Sequence, residues 1–139
     1  MRLSRGYKMI GRFSYLQVAL VIFGAIFCLI YPLALIWPSG WMWHEGPPVA
    51  SHYYMMIIGI YATLGIFLIG AAANPDAHRS LIAFTIWSSV VHALIMAVQA
   101  MQYPEHIGHM FGDVPALLLV AFVLGLLMRS HDKGHQPFR

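Results

Sequence analysis

Residues 80–102 read SLIAFTIWSSVVHALIMAVQAMQ, without a single Asp, Glu, Lys or Arg. About 20 helical residues cross the hydrocarbon core of a bilayer, so this segment is long enough to span one. Polar residues and one methionine recur in it at spacings of three and four, namely Thr85, Ser88, Ser89, His92, Met96 and Gln99. This spacing lines them up on one side of a helix. Because polar groups are costly in hydrocarbon, we expect that side to face other helices.

The rest of the chain has the composition of an integral membrane protein. Of 139 residues, 60% are hydrophobic and 9% are charged, and the mean hydropathy is +0.70. A soluble domain of this size cannot bury so large an apolar fraction. Four apolar stretches predict membrane spans at about 14–36, 52–73, 80–101 and 113–128. We therefore predict an all-α fold, a four-transmembrane-helix bundle that forms a single integral membrane domain over residues 1–139.

Small residues recur along the second predicted span. Gly59 and Thr63 are four positions apart, and Gly65 and Gly70 follow them. Such spacing lets helices approach closely. We expect Gly59 and Thr63 to lie at a helix contact.

The fixed positive charges indicate the orientation. With four spans, the N-terminal segment, the second connection and the C-terminal tail share one side, and they carry every Lys and Arg, which are Arg2, Arg5, Lys8, Arg12, Arg79, Arg129, Lys133 and Arg139. By the positive-inside rule, both termini are predicted to be cytoplasmic, which in a bacterium would place the chain in the inner membrane. The pI near 9.3 follows from this asymmetry and does not imply a nucleic-acid partner.

The opposite side carries imidazoles and carboxylates without Lys or Arg. The segment QYPEHIGHMFGDVP, residues 102–115, is the densest part of it. Neutral imidazole and carboxylate bind Zn²⁺ and Cu²⁺, so a copper or zinc site is predicted from some of His44, His52, His106, His109 and Asp113. The alternative is that the histidines are interfacial polar groups, and that Asp113, two residues before Pro115, accepts from a free N–H at a helix start.

The third predicted span holds a second candidate site. His92 lies near its middle, where an ionisable residue is by default a candidate functional group. One interpretation is that His92 ligates a haem or bonds to a quinone head group, with Ser88, Ser89, Met96 and Gln99 alongside it. The alternative is that this stripe only hydrogen-bonds between helices.

These segments resemble a known family. The runs YPLALIWPSGWMW, HYYMMIIGIYATLGIFLIGAAANP, SLIAFTIWSSVVHALIMAVQAM and GHMFGDVPALLLVAFVL are similar to small four-helix bacterial membrane proteins grouped as the domain of unknown function numbered 6632. The resemblance covers about residues 30–128. The matched positions are Pro38, Gly40, Trp41, Ser88, Ser89, His92, His109, Gly112, Asp113 and Pro115. The resemblance implies the fold and a bacterial source, but no reaction.

Three classes of function fit these patterns. Small size and the lack of a recognisable nucleophile or phosphate-binding loop favour a non-enzymatic auxiliary or stabilising subunit of a larger membrane complex of the oxidoreductase type. The alternatives are a periplasm-facing metal-binding protein and a haem- or quinone-binding module using His92. The expected partners are membrane lipids and either other membrane subunits or further copies of this chain.

The orientation is tested with reporter fusions. Because every Lys and Arg lies on one predicted side, fusions at both termini should report the cytoplasm, and fusions within residues 37–51 or 102–112 should report the periplasm. A periplasmic C-terminus would contradict the orientation.

Overall fold

The computed structural model describes residues 9–10, 13–36 and 47–135. Its helices are α1 (Tyr15–Ile36), α2 (His52–Ala71), α3 (Arg79–Gln102) and α4 (Asp113–His135). Strands β1 (Met9–Ile10) and β2 (Phe13–Ser14) pair antiparallel ahead of α1, and short 3-10 turns at Pro48–Ala50, Pro75–His78 and Pro104–Met110 lie in the connections. Four segments are long and apolar enough to cross a membrane. The predicted all-α four-helix fold is confirmed.

The fourth helix is longer than predicted. Its apolar part ends near residue 128, but α4 continues to His135. Residues 129–132 contain no Gly or Pro, so nothing in them stops a helix. Asp132 is also held in place, because both guanidinium nitrogens of Arg79 bond to its carboxylate, one of them at 2.6 Å. The loss of hydropathy therefore marks the end of the apolar span, not the end of the helix.

Hydrogen bonds at the helix ends fix how the helices are arranged. Ser14 and Gln17 form a reciprocal capping box at the start of α1, with N–H···O distances of 2.9 and 3.2 Å. The Gln17 amide also donates to the carbonyl of Ala72, at the end of α2, at 2.9 Å. Together with the Arg79–Asp132 ion pair, these bonds gather the starts of α1 and α3 and the ends of α2 and α4 at one end.

We name the two ends of the bundle by their residues. The basic end carries Arg79 and Arg129, and the histidine end carries His52, His106 and His109. The basic end is closed by bonds between side chains of different helices, since His131 also lies 3.2 Å from Asp76.

Two glycines set the closest helix contact. A Cβ on Gly24 would lie 2.7 Å from the carbonyl oxygen of Gly65, and one on Gly65 would lie 2.5 Å from that of Gly24 and 2.7 Å from the Cys28 sulfur. Only glycine allows α1 and α2 to come this close. The prediction for Gly59 and Thr63 is wrong within the described chain, because both are exposed and a Cβ on Gly59 would meet nothing.

The helices pair into two hairpins. The α1 backbone packs along α2 and the α3 backbone along α4; α1 also contacts α4, whereas α2 and α3 lie farther apart. One buried cluster is built around Leu20, Leu68 and Leu124, and a second around Ala93, Val114 and Leu117. Tyr61 packs against both clusters. Large apolar side chains cover the outer surface, where Trp87 is 69% exposed, as expected for a surface facing lipid.

The glycine contact yields a test that separates packing from helix propensity. Gly65→Ala should lower the free energy of unfolding by about 1–3 kcal/mol, because its methyl group would overlap the Gly24 backbone. Gly70→Ala meets only open space and should leave stability unchanged or raise it by up to about 1 kcal/mol, since Ala favours the helix. Thermal unfolding of both variants in the same detergent measures the difference. Equal melting temperatures would contradict the close α1–α2 approach.

Candidate functional site: a polar cavity at the histidine end

A cavity of about 380 Å³ lies between the helices at the histidine end. Its walls are mostly apolar, with Phe23, Phe27, Ile57, Leu117 and Val120 among them. Eight hydrogen-bonding side chains from α2, α3, α4 and the 3-10 turn before α4 also line it: Tyr53, Tyr54, Tyr61, His92, Gln99, His106, His109 and Asp113. On α2 and α3 the cavity reaches no deeper than Tyr61 and His92. Tyr61 is nine residues into α2, or about 14 Å, so the floor lies near the middle of the membrane.

The floor of the cavity is formed by Tyr61 and His92. The Tyr61 hydroxyl lies 2.6 Å from Nδ1 of His92, a short hydrogen bond between α2 and α3. The two ring centroids are 5.9 Å apart. Tyr61 is supported from behind by Phe27 of α1, whose ring meets it edge-on with centroids 5.0 Å apart. His92 is thus half-buried with a defined partner, as expected for a histidine inside a membrane span.

A second polar pair lies near the mouth. Nδ1 of His109 donates to the Asp113 carboxylate at 2.5 Å. The helix is broken between them, because the Pro104–Met110 turn ends and α4 begins at Asp113, yet the spacing of four still brings the side chains together. Since the only described hydrogen bond of this carboxylate is to His109, the structure does not support the interpretation of Asp113 as a cap for a free backbone N–H.

His106 completes the group at the mouth. Its ring lies between two others, with centroids 6.1 Å from Tyr103 and 5.8 Å from His109. Within the described chain, Nδ1 of His106 is buried and has no hydrogen-bond partner. A buried polar atom without a partner is destabilising by about 1–3 kcal/mol, so a group that bonds to this nitrogen would be favoured in the cavity.

The described side chains that line the cavity include an acidic residue and no Lys or Arg. Asp113 is the only acidic one among them. The carboxylate lies within electrostatic range of the Tyr54 and Tyr61 hydroxyls and of the His92 ring. The polar groups at the mouth and those at the floor therefore lie close enough to act as one site.

The cavity brings together much of both predicted sites. His92, Met96 and Gln99 line it, as do His106, His109 and Asp113. Ser88 and Ser89 do not, because they lie one turn of α3 beyond the cavity floor, and Ser88 donates to the Thr85 carbonyl at 3.2 Å. His52 is exposed at the first residue of α2, away from the lining. His44 lies outside the described residues, as do Pro38, Gly40 and Trp41.

The predicted metal site is not formed by the described side chains alone. Over residues 9–10, 13–36 and 47–135, no three or more His, Cys, Asp or Glu side chains are grouped so that they could hold an ion. His109 and Asp113 are paired and His106 is adjacent, which supplies part of a ligand set. The copper or zinc site stays a prediction.

Sequence analysis missed the residues that α1 and α2 contribute. Tyr61 lies inside a predicted apolar span, and Phe27 lies in an uninterrupted apolar run. Neither helix shows a polar stripe like that of α3, so nothing in the pattern singles out the side that faces His92. The one available signal was that a half-buried histidine requires a partner, and Tyr61 is a hydroxyl near the centre of a span.

Fold and site together define a multi-pass membrane protein with a largely apolar cavity that several polar side chains line. The chain belongs to the family described as a family of unknown function (DUF6632), whose model matches residues 10–137. This confirms the resemblance found in the sequence. Comparison with curated proteins gave no match, and comparison with solved structures gave none either.

The Tyr61–His92 bond is tested by a double-mutant cycle. His92→Leu and Tyr61→Phe should each lower the free energy of unfolding by about 1–3 kcal/mol, because each leaves the other polar group without its partner. The double variant should be more stable than the sum of the two losses implies, with a coupling of about 0.5–3 kcal/mol measured by unfolding in mixed micelles. Ser88→Ala is the control, since its bond stays within α3. Additive losses would contradict the bond.

Proposed function

We propose that this protein binds an amphipathic small molecule within the membrane, with the head group in the cavity at the histidine end and the apolar tail toward lipid. The observation that carries this proposal is the convergence of eight hydrogen-bonding side chains, from three helices and one turn, on one largely apolar cavity. A stripe that served only to join helices would be satisfied by direct bonds and would need no cavity.

The size of the cavity supports a small head group. Ligand cavities of proteins usually measure about 300–1,000 Å³, so a volume of about 380 Å³ is at the lower end. A head group of one ring or smaller fits this volume better than a haem macrocycle. Of the two cofactors predicted for His92, haem is therefore disfavoured.

The position of the cavity supports a ligand that arrives from the bilayer. Two of its lining residues, Ile26 on α1 and Leu119 on α4, are 39% and 56% exposed on the apolar surface. Tyr53 and Gln99 are exposed at the histidine end. An amphipathic molecule lying at the membrane interface meets both surfaces, with apolar groups toward the first and polar groups toward the second. With the orientation predicted from Lys and Arg, this interface is the outer one.

The proposal is tested by what the protein retains on purification. Protein from native membranes in mild detergent should carry a bound amphipathic molecule, close to one per chain, detected by mass spectrometry of the extract. Ala116→Trp should abolish this retention, because Ala116 lines the cavity and an indole would fill it. Leu118→Trp is the matched control, since Leu118 lies on the same helix but not among the lining residues. Equal retention in both variants, or none in the wild type, would contradict the proposal.

An auxiliary-subunit role is a second candidate, and one surface favours it. A shallow apolar groove runs along α2 beside Leu81, lined by Gly59, Thr63 and Phe67. Exposed Gly and Thr on a membrane helix are typical of positions where another helix packs. The same purification distinguishes this role, because it requires a stoichiometric larger subunit that is lost on Gly59→Leu and kept on Ala116→Trp.

A further inference from the structure

The charge of Asp113 has no fixed counterpart in the cavity. The carboxylate is partly buried, with its side chain 23% exposed, and its described partner is the His109 ring. An imidazole, unlike a Lys or Arg side chain, brings no fixed positive charge to the carboxylate. Arg79 lies near the first residue of α3 and Arg129 near the end of α4, both at the basic end. A carboxylate in a membrane cavity is costly unless a positive charge comes close to it.

The walls around this carboxylate are rich in aromatic rings. Phe23, Phe27, Tyr53, Tyr54 and Tyr61 all line the cavity. Their faces carry partial negative charge and attract a cation positioned within about 6 Å. Aromatic rings combined with one carboxylate recognise a positive charge carried on a carbon-rich group, because the rings also bury the apolar surface around that charge.

We propose that the head group of the ligand is an organic cation, an ammonium carried on an apolar tail, paired with Asp113 and enclosed by the aromatic walls. This inference rests on the proposed function, since it assigns the chemistry of the molecule that the cavity binds. The ammonium supplies a positive charge next to the Asp113 carboxylate. The Tyr61–His92 pair lies below the head group, at the floor of the cavity.

Two other occupants fit the site less well. A bare metal ion needs three or four donor atoms around one point, and the described side chains do not supply such a group. A neutral quinone ring would bond to the Tyr61–His92 pair but would leave the Asp113 charge unbalanced. An ammonium satisfies the carboxylate and uses the rings as well.

The test compares three amphipathic molecules that share a dodecyl tail and differ in the head group. The full-length protein in nanodiscs of phosphatidylcholine is titrated with dodecyltrimethylammonium, dodecanol or dodecanoate, and the uptake by empty nanodiscs is subtracted. The ammonium should bind about tenfold or more tightly than the alcohol, and the carboxylate should bind least. In Asp113→Asn this preference should fall to near one, and in Asp113→Glu it should persist, because the charge is kept.

A second acid controls for net charge. Asp76→Asn removes the same charge at the basic end, outside the lining residues, and should leave the preference intact. Equal affinity for ammonium and alcohol in the wild type, with saturable binding of both, would overturn the cationic head group and leave the proposed cavity function standing. Retention of the preference in Asp113→Asn would overturn the role of Asp113. Absence of saturable binding for all probes, together with no ligand retained on purification, would overturn both proposals.

Discussion

The hydrogen bond between Tyr61 and His92 is the interaction on which the rest of the site depends. It joins the α1–α2 hairpin to the α3–α4 hairpin through α2 and α3, whose backbones lie farther apart than those within each hairpin. Inside a bilayer neither group has water to bond with, so each is satisfied by the other. The pair holds the two hairpins at a fixed separation, and the space above it is the cavity. Phe27 supports the tyrosine ring, which ties α1 to the same arrangement.

The two ends of the bundle use their polar groups differently. At the basic end, Arg79 pairs with Asp132 and His131 lies 3.2 Å from Asp76, so polar side chains of the chain bond to one another and close the bundle. At the histidine end the described side chains offer a carboxylate, imidazoles and hydroxyls around a cavity, with no Lys or Arg among its lining. The first arrangement is complete within the chain. The second leaves the Asp113 carboxylate without a Lys or Arg partner among the described lining residues, and the Nδ1 atom of His106 without a described hydrogen bond.

The sequence predicted the features that depend on the spacing of neighbouring residues or on the hydropathy of a whole span. Apolar length located the four spans, and the polar periodicity of α3 located His92, Met96 and Gln99 on the side that meets the cavity. Contacts between distant segments carried no such signal: Tyr61 lies 31 residues from His92, and Gly24 meets Gly65 through a crossing that no local pattern specifies. The end of α4 was misplaced because hydropathy follows the membrane, whereas helix ends follow Gly, Pro and capping.

The central claim is that the two hairpins meet through Tyr61 and His92 near the middle of the membrane and so form the cavity. Solid-state NMR on protein in lipid bilayers, labelled with ¹⁵N-histidine and ¹³C-tyrosine, measures this contact directly. The account predicts a strong dipolar correlation between Nδ1 of His92 and Cζ of Tyr61, as expected from atoms joined by a 2.6 Å hydrogen bond, and its loss in Tyr61→Phe. A His92 ring with no tyrosine carbon nearby, in protein that keeps its helical content, would contradict it.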